Sequence, residues 1–288
     1  MSIRFLEKML LLRHKPSFMK ISHFSFIGTF IGAIVILNIY LFYHNVNSSS
    51  KVEVLKFPKN PGIMKIDIGQ GEDDLWILTK ENYLYHWDTF KKEFICKNSC
   101  TPIVDFAVGS DGTVIMLSLY NIYCVYIRDD IDSWYWVANA NQNTRISICN
   151  YNLVFITYNN KIFQGYYDYG SHQIIWQQLD SAEYYYDQIS CAFHDGSLWF
   201  IGRYKHHVYV YIDDNKNIPR SEISFKQIKA LSKQHAIGID YNNDLWEYTK
   251  GTWTWIKNNV KGATINNDGE IFFIDITNDN LIYKLSKN

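Results

Sequence analysis

Ile189-Ser190-Cys191-Ala192-Phe193-His194-Asp195-Gly196-Ser197-Leu198-Trp199-Phe200-Ile201, followed after a polar break by Val208-Tyr209-Val210-Tyr211, is the stretch that decides the fold. It contains a small-residue strand, an Asp-Gly turn, an apolar strand and an aromatic-rich strand. Asp-Gly between apolar runs is a strong hairpin signal, because the turn needs positive φ and glycine takes it without a steric penalty. The same order recurs along the chain. Ile66 to Gly69, Asp74 to Leu78 and Tyr83 to Trp87 form one copy; Val104 to Gly109, Asp111-Gly112, Val114 to Leu117 and Ile122 to Val125 form the next. Equivalent second-strand positions are Leu75, Val114, Val154, Leu198, Ala236 and Ile271, at intervals of 35 to 44 residues. A period near forty with several short strands per unit predicts a propeller in which each unit is one blade.

The reading predicts an all-β, six-bladed β-propeller over 52–288. Fourth strands are expected at Phe94-Ile95-Cys96, Trp134 to Val137, Ile174-Ile175-Trp176, Ile223-Ser224-Phe225 and Trp253 to Ile256. The last unit has none before the chain ends. The spare strand is Val52 to Phe57, so the ring is expected to close by pairing 52–57 with the last blade, which also removes an exposed sheet edge.

The first fifty residues differ in kind. Residues 24–43 carry no charge, and about twenty helical residues span about 30 Å, the thickness of a bilayer core. Arg4, Lys8, Arg13, Lys15 and Lys20 precede this run against the single acid Glu7. The expected organisation is a cytosolic basic tail at 1–23, a transmembrane signal-anchor helix at 24–43, a tether at 44–51 and the propeller beyond. The positive-inside rule then places the propeller in a lumen or outside the cell. A cleaved signal peptide is the rival reading. Gly28 and Gly32 form a GxxxG pattern that would allow a homodimer through close helix approach.

Composition narrows the functional classes. Charged residues make up 20% and aromatics 17%, which suits a packed core rather than disorder. Residues 52–288 hold 22 Lys and Arg against 28 Asp and Glu, a net charge of −6. Nucleic acid is therefore not an expected partner.

The phrase "apolar strand, Gly, Asp-Gly, Val/Leu-Trp, then Leu/Ile-Tyr" in Ile66 to Trp87, Val104 to Tyr126, Ile189 to Tyr211 and Val260 to Tyr283 resembles the tectonin repeat of tachylectin and fish-egg-lectin propellers. The third unit departs from it, with Asn150-Tyr151-Asn152 where Asp-Gly would stand. In the fifth, Ser232 to His235 takes that place and the tryptophan comes one strand later, at Trp246. What the resemblance implies is a six-bladed propeller that binds a sugar or lipopolysaccharide or serves as a protein-interaction platform; joined to the expected anchor at 24–43, it makes a membrane-anchored, lectin-like recognition module for a glycan, glycolipid or glycoprotein the leading expectation. Alternatives are a protein-interaction or structural subunit of a membrane complex, and a propeller hydrolase. No catalytic residue, metal site or cofactor follows from it.

The aromatic residues near strand ends and turns are the candidate ligand contacts: Trp87, Trp134, Tyr166, Tyr167, Tyr185 and Trp253. Trp76, Trp199 and Trp246 lie within strands and read as core. Cys96 and Cys100 flank a blade edge and are the candidate disulfide, while Cys124, Cys149 and Cys191 read as small apolar residues inside strands. His206-His207 reads as a solvated turn pair, and Asp130-Ile-Asp132 as a hairpin turn rather than the acidic motif of a glycosyltransferase. Among the inner strands only Asp67 and Asp105 suit a calcium-dependent, lactonase-type hydrolase.

Overall fold

The computed structural model describes residues 50–287 apart from short segments, namely 58–61, 98–101, 119–123, 129–133, 141–143, 151–152, 160, 169, 172, 181–185, 203–205, 213–214 and 218–222. The compact unit is Lys51–Asn288. Among the described residues no helix is long and apolar enough to cross a membrane; the segment 24–43, with Gly28 and Gly32, lies outside them.

The strands form six four-stranded sheets, and the fold is an all-β propeller. Blade 1 comprises Ile63–Ile68, Leu75–Thr79, Leu84–Asp88 and Glu93–Cys96. Blade 2 comprises Ile103–Val108, Val114–Ser118, Cys124–Arg128 and Trp134–Asn139. Blade 3 comprises Ile146–Asn150, Leu153–Tyr158, Lys161–Asp168 and Gln173–Asp180. Blade 4 comprises Tyr186–Cys191, Leu198–Gly202, Val208–Ile212 and Asn215–Asn217. Blade 5 comprises Phe225–Ser232, His235–Asp240, Leu245–Thr249 and Thr252–Lys257. Blade 6 comprises Val260–Ile265, Ile271–Asp275 and Asn278–Lys287, with Ser50–Lys56 beside the last of these as its outer strand.

The ring is made by burial between neighbours. Second strands such as Leu75–Thr79, Val114–Ser118 and Leu198–Gly202 are buried at every position, because both of their faces pack on other sheets. Six hydrophobic clusters result, each shared by two consecutive blades, and the last joins blade 6 to blade 1. In that last seam Phe57, only 1% exposed, packs edge-on against Tyr85 and Phe94 of blade 1. Each fully buried side chain of this size stabilises by about 1.5–3 kcal/mol.

One outer strand is not where the periodicity puts it. Ile223 to Phe225 was expected at the edge of blade 4, but Asn215–Asn217 fills that place and Phe225 begins the inner strand of blade 5. Phe225 is fully buried against Trp253 and donates its N–H to the His206 carbonyl. Burial of the phenyl ring outweighs the local β-propensity of the segment before it.

Antiparallel order gives the ring two faces. The hairpin face carries the turns between first and second strands. The loop face carries the turns between second and third strands and the start of each inner strand.

Candidate functional site

The inner strands converge on the axis and fill it with polar side chains. Asp67, Ala107, Ser147, Ser190, Lys229 and Thr264 hold equivalent register positions, one per blade. Where that residue is polar, it bonds the neighbouring blade in most cases. Asp67 Oδ2 accepts the Val108 N–H at 2.9 Å, Ser147 Oγ the Cys191 N–H at 2.7 Å and Ser190 Oγ the Ala230 N–H at 2.9 Å. Thr264 donates to Asp67 Oδ1 at 2.8 Å, from blade 6 to blade 1. A second layer lies two residues earlier, toward the loop face. Lys65 reaches Asp105 at 2.5 Å, Gln188 Oε1 accepts the Ile228 N–H at 2.7 Å, and Gln227 donates to the Ala263 carbonyl at 2.7 Å.

Lys229 crosses the axis to Asp67 Oδ1 at 2.7 Å, and both are nearly buried. Burial pushes the Lys229 ammonium below the ordinary lysine range, opposed by the Asp67 charge. The cavity between these layers offers about 20 Å³ to the centre of a water-sized molecule, room for about one water. A sugar ring does not fit there. Asp67 and Asp105 are both engaged by protein donors.

On the hairpin face, turns of different blades bond one another. His194 Nε2 lies 2.9 Å from the Asn267 carbonyl of blade 6, and the His194 N–H donates to the Leu231 carbonyl of blade 5. The Asn267 N–H reaches the Gly69 carbonyl, and the Ser110 N–H the Cys149 carbonyl. The Asp-Gly turns expected from the sequence are present, with φ of +80° at Gly112 and +70° at Gly196. Cys149 and Cys191 form a disulfide near this end of blades 3 and 4, with Cα atoms 5.2 Å apart. This corrects the reading of both as unpaired core residues: strands of different blades bring the two thiols together, and sequence spacing does not show that. Cys96 is exposed at the end of its strand, and Cys100 lies outside the described residues.

The loop face carries more varied side chains. Five inner strands have a bulge at this end, at Met64, Val104, Asp187, Lys226 and Lys261, and a bulge re-aims its side chain. In three blades a left-handed residue of the facing loop (Asn82, His206 or Asn243) gives its carbonyl to the first N–H of the next inner strand. His206 thus occupies a recurring structural position, which explains its φ of +51°. Its ring does something the two asparagines do not.

Asp187 Oδ2 lies 2.8 Å from His206 Nδ1, and the Tyr241 hydroxyl from blade 5 is also 2.8 Å from that nitrogen. A proton on Nδ1 donates to this carboxylate, and in that tautomer of the neutral ring Nε2 is an acceptor. The side chain is 35% exposed. The Tyr241 ring packs 4.7 Å from the imidazole and is itself 51% exposed. Partial burial, then the Asp187 charge, raises the Tyr241 phenol above its ordinary range. Arg145 donates to the Asp187 carbonyl at 2.6 Å, tying the cluster to blade 3. Tyr83, Met64 and Ile276 are also exposed on this face.

The aromatic residues expected to line a ligand site are scattered. Trp87 is 6% exposed and belongs to the core between blades 6 and 1, and Tyr167, at 3%, belongs to the core between blades 2 and 3. These two positions correct the expectation: strand alternation turns both rings inward. Trp134 and Trp253 are half-buried against neighbouring cores. Tyr166 is exposed on blade 3, away from the axis, and Tyr185 lies outside the described residues. Trp76 and Trp199 are core, as their strand positions implied, and Trp246 is half-buried with its indole N–H on Asp240 Oδ2. Sequence reasoning missed Tyr241 and Asp187. The usable signal was the turn Tyr241-Asn242-Asn243-Asp244, an aromatic residue at a loop tip.

No protein-family model and no curated protein matches the chain. Solved structures do match. An auxiliary nutrient binding protein from Bacteroides thetaiotaomicron aligns over 82% of this chain and 76% of its own, at 10% identity and a TM-score of 0.59. A structure described as YCF48 bound to D1 peptide aligns over 82% of this chain and 95% of its own, at 11% identity and a TM-score of 0.51. At such identity the likeness is one of fold.

Proposed function

We propose that this chain is a recognition module, a six-bladed propeller held at a membrane by residues 24–43, that takes a glycan or glycolipid on its loop face. The observation that carries the reading is the pairing of a half-exposed Tyr241 ring with a His206 imidazole locked by Asp187. An aromatic face stacks on the C–H side of a sugar ring, while Nε2 accepts a bond from a hydroxyl. The filled axis favours binding on the face over binding in the channel. The resemblance of the repeat to tectonin units supports the same reading, and so does the fold it shares with a protein described as nutrient-binding.

The disulfide between Cys149 and Cys191 supports a propeller that matures in an oxidising compartment. That fits an anchor with its N-terminus in the cytosol.

A glycan array probed with the detergent-solubilised chain tests the reading. Binding to a defined subset is expected, reduced at least tenfold by Tyr241→Ala and by His206→Asn, which keeps a residue type that takes the same left-handed backbone at the equivalent positions Asn82 and Asn243. Absence of any glycan binding, or binding indifferent to both substitutions, overturns it. A second reading is a peptide ligand, supported by the fold shared with a propeller described as bound to a peptide; co-purification of one protein partner whose binding needs Tyr241 would favour it.

A further inference from the structure

The outer edge of blade 3 differs from the other blade edges. Gln173–Asp180 is eight residues long, against three for Asn215–Asn217 in blade 4 and four for Glu93–Cys96 in blade 1. From Gln173 to Leu179 it contains no charge and no proline. Natural edge strands are normally blunted by charge, proline or shortness, because their unpaired N–H and C=O groups template another strand. The edges of blades 1, 5 and 6 follow that rule with Glu93, with Lys257, and with Lys51, Glu53 and Lys56. Trp134–Asn139 of blade 2 is uncharged but shorter, and it lies against the blade 3 edge strand.

The strand is also anchored on one side by packing. Ile174 and Trp176 fold over Gly165 of the third strand, where a Cβ would lie 2.3 Å from Ile174 Cγ2 and 2.7 Å from Trp176 Cε3. That contact anchors one side of the strand to the core between blades 2 and 3. The other side is left open. Ile175 is 52% exposed, and its register partner Tyr166 is 49% exposed.

The sequence of the edge is self-complementary. If two copies pair antiparallel about Ile175, Gln173 faces Gln177, Ile174 faces Trp176 and Ile175 faces Ile175. Amide meets amide, apolar meets apolar, and no like charges oppose each other. Isologous contact of one patch with itself is the usual geometry of a two-fold dimer. We propose that the chain dimerises through this edge, joining blade 3 of two copies into one eight-stranded sheet and burying the Tyr166–Ile175 strip. The site is separate from the ligand site on the loop face, and its test does not depend on that reading.

Two variants of the full chain in detergent test the proposal. Directly opposed residues of an antiparallel pair have Cα atoms about 4.5–5.5 Å apart, within disulfide range. Ile175→Cys should therefore give an interchain disulfide on mild oxidation that neither the parent chain nor Tyr83→Cys gives. The double variant Ile175→Lys with Gln177→Lys should lower the dimer fraction at least tenfold in sedimentation, with an unchanged melting midpoint. Failure to cross-link with a monomeric parent chain, a dimer that persists in the lysine variant, or an edge occupied by another protein's strand each overturns it.

Discussion

The two faces of the ring satisfy their backbones in different ways. On the hairpin face the turns bond one another: His194 to Asn267, Asn267 to Gly69, Ser110 to Cys149, with Asp-Gly pairs setting the turns and a disulfide beneath. On the loop face the backbone joints also repeat, but the side chains at the repeated positions vary. Asn82 gives its carbonyl to Ile103, the Asn243 side chain accepts from Lys226, and His206 holds Asp187 and Tyr241. A scaffold that meets its structural needs with main-chain bonds leaves side chains available for recognition. The difference implies that substitutions on the hairpin face change stability, while those on the loop face change binding.

The axial layer belongs to both faces and should give the largest effect. Asp67→Ala removes the carboxylate paired with the buried Lys229 ammonium, and losing one partner of a buried pair costs about 3–5 kcal/mol. Chemical denaturation should show that loss, and Asp67→Ala with Lys229→Met should recover most of it. Full stability in Asp67→Ala alone would mean that Lys229 is neutral in the fold.

Next comes the disulfide. Its closed loop spans 42 residues, which corresponds to about 2–4 kcal/mol. Replacing Cys149 and Cys191 together by serine should lower the denaturation midpoint, and adding reductant should then have no further effect. A parent chain that unfolds identically with and without reductant would show that the bond is not formed.

Substitution of the turn glycines sharpens the contrast. Gly112→Ala and Gly196→Ala place a Cβ at positive φ, a cost of about 1–2 kcal/mol each. In Gly112 the new carbon also lies 3.0 Å from Asp74 Oδ1. Both variants should melt earlier and still bind ligand once folded. Loss of binding in the folded variants would break the division of labour between the faces.

The smallest effect concerns Asp74. Burial raises its carboxyl above the ordinary value of 3.8. Between 3.8 and the raised value the folded state holds more protons than the unfolded one, so stability falls as pH rises through that window. Asp74→Asn removes the charge and should stabilise the chain at pH 7 by a few tenths of a kcal/mol, given partial solvent screening. The gain should vanish near pH 3.5. A variant less stable at both pH values would show that the hydrogen bond from the Gln70 N–H to the carboxylate outweighs desolvation.

Several features were legible in the chain because they are local. The strand–turn–strand repeat, the positive φ of Gly112 and Gly196, and the inward placement of Trp76 and Trp199 each depend on residues within one blade. The period of about forty residues implied a propeller for the same reason. The aromatic residues Trp87 and Tyr167 misled because a residue near a strand end can turn either way, and alternation in the folded sheet turned both into cores.

What the sequence determined by itself was the blade: its turns, its apolar second strand and the spare strand at its start, all set by backbone preferences and burial pattern over a few residues. The tertiary structure alone decided which blades meet at an axis. That meeting pairs Cys149 with Cys191, puts Lys229 against Asp67, and brings Tyr241 of one blade onto His206 of another. These contacts join residues 35 to 162 positions apart, and no local preference encodes a neighbour at that distance.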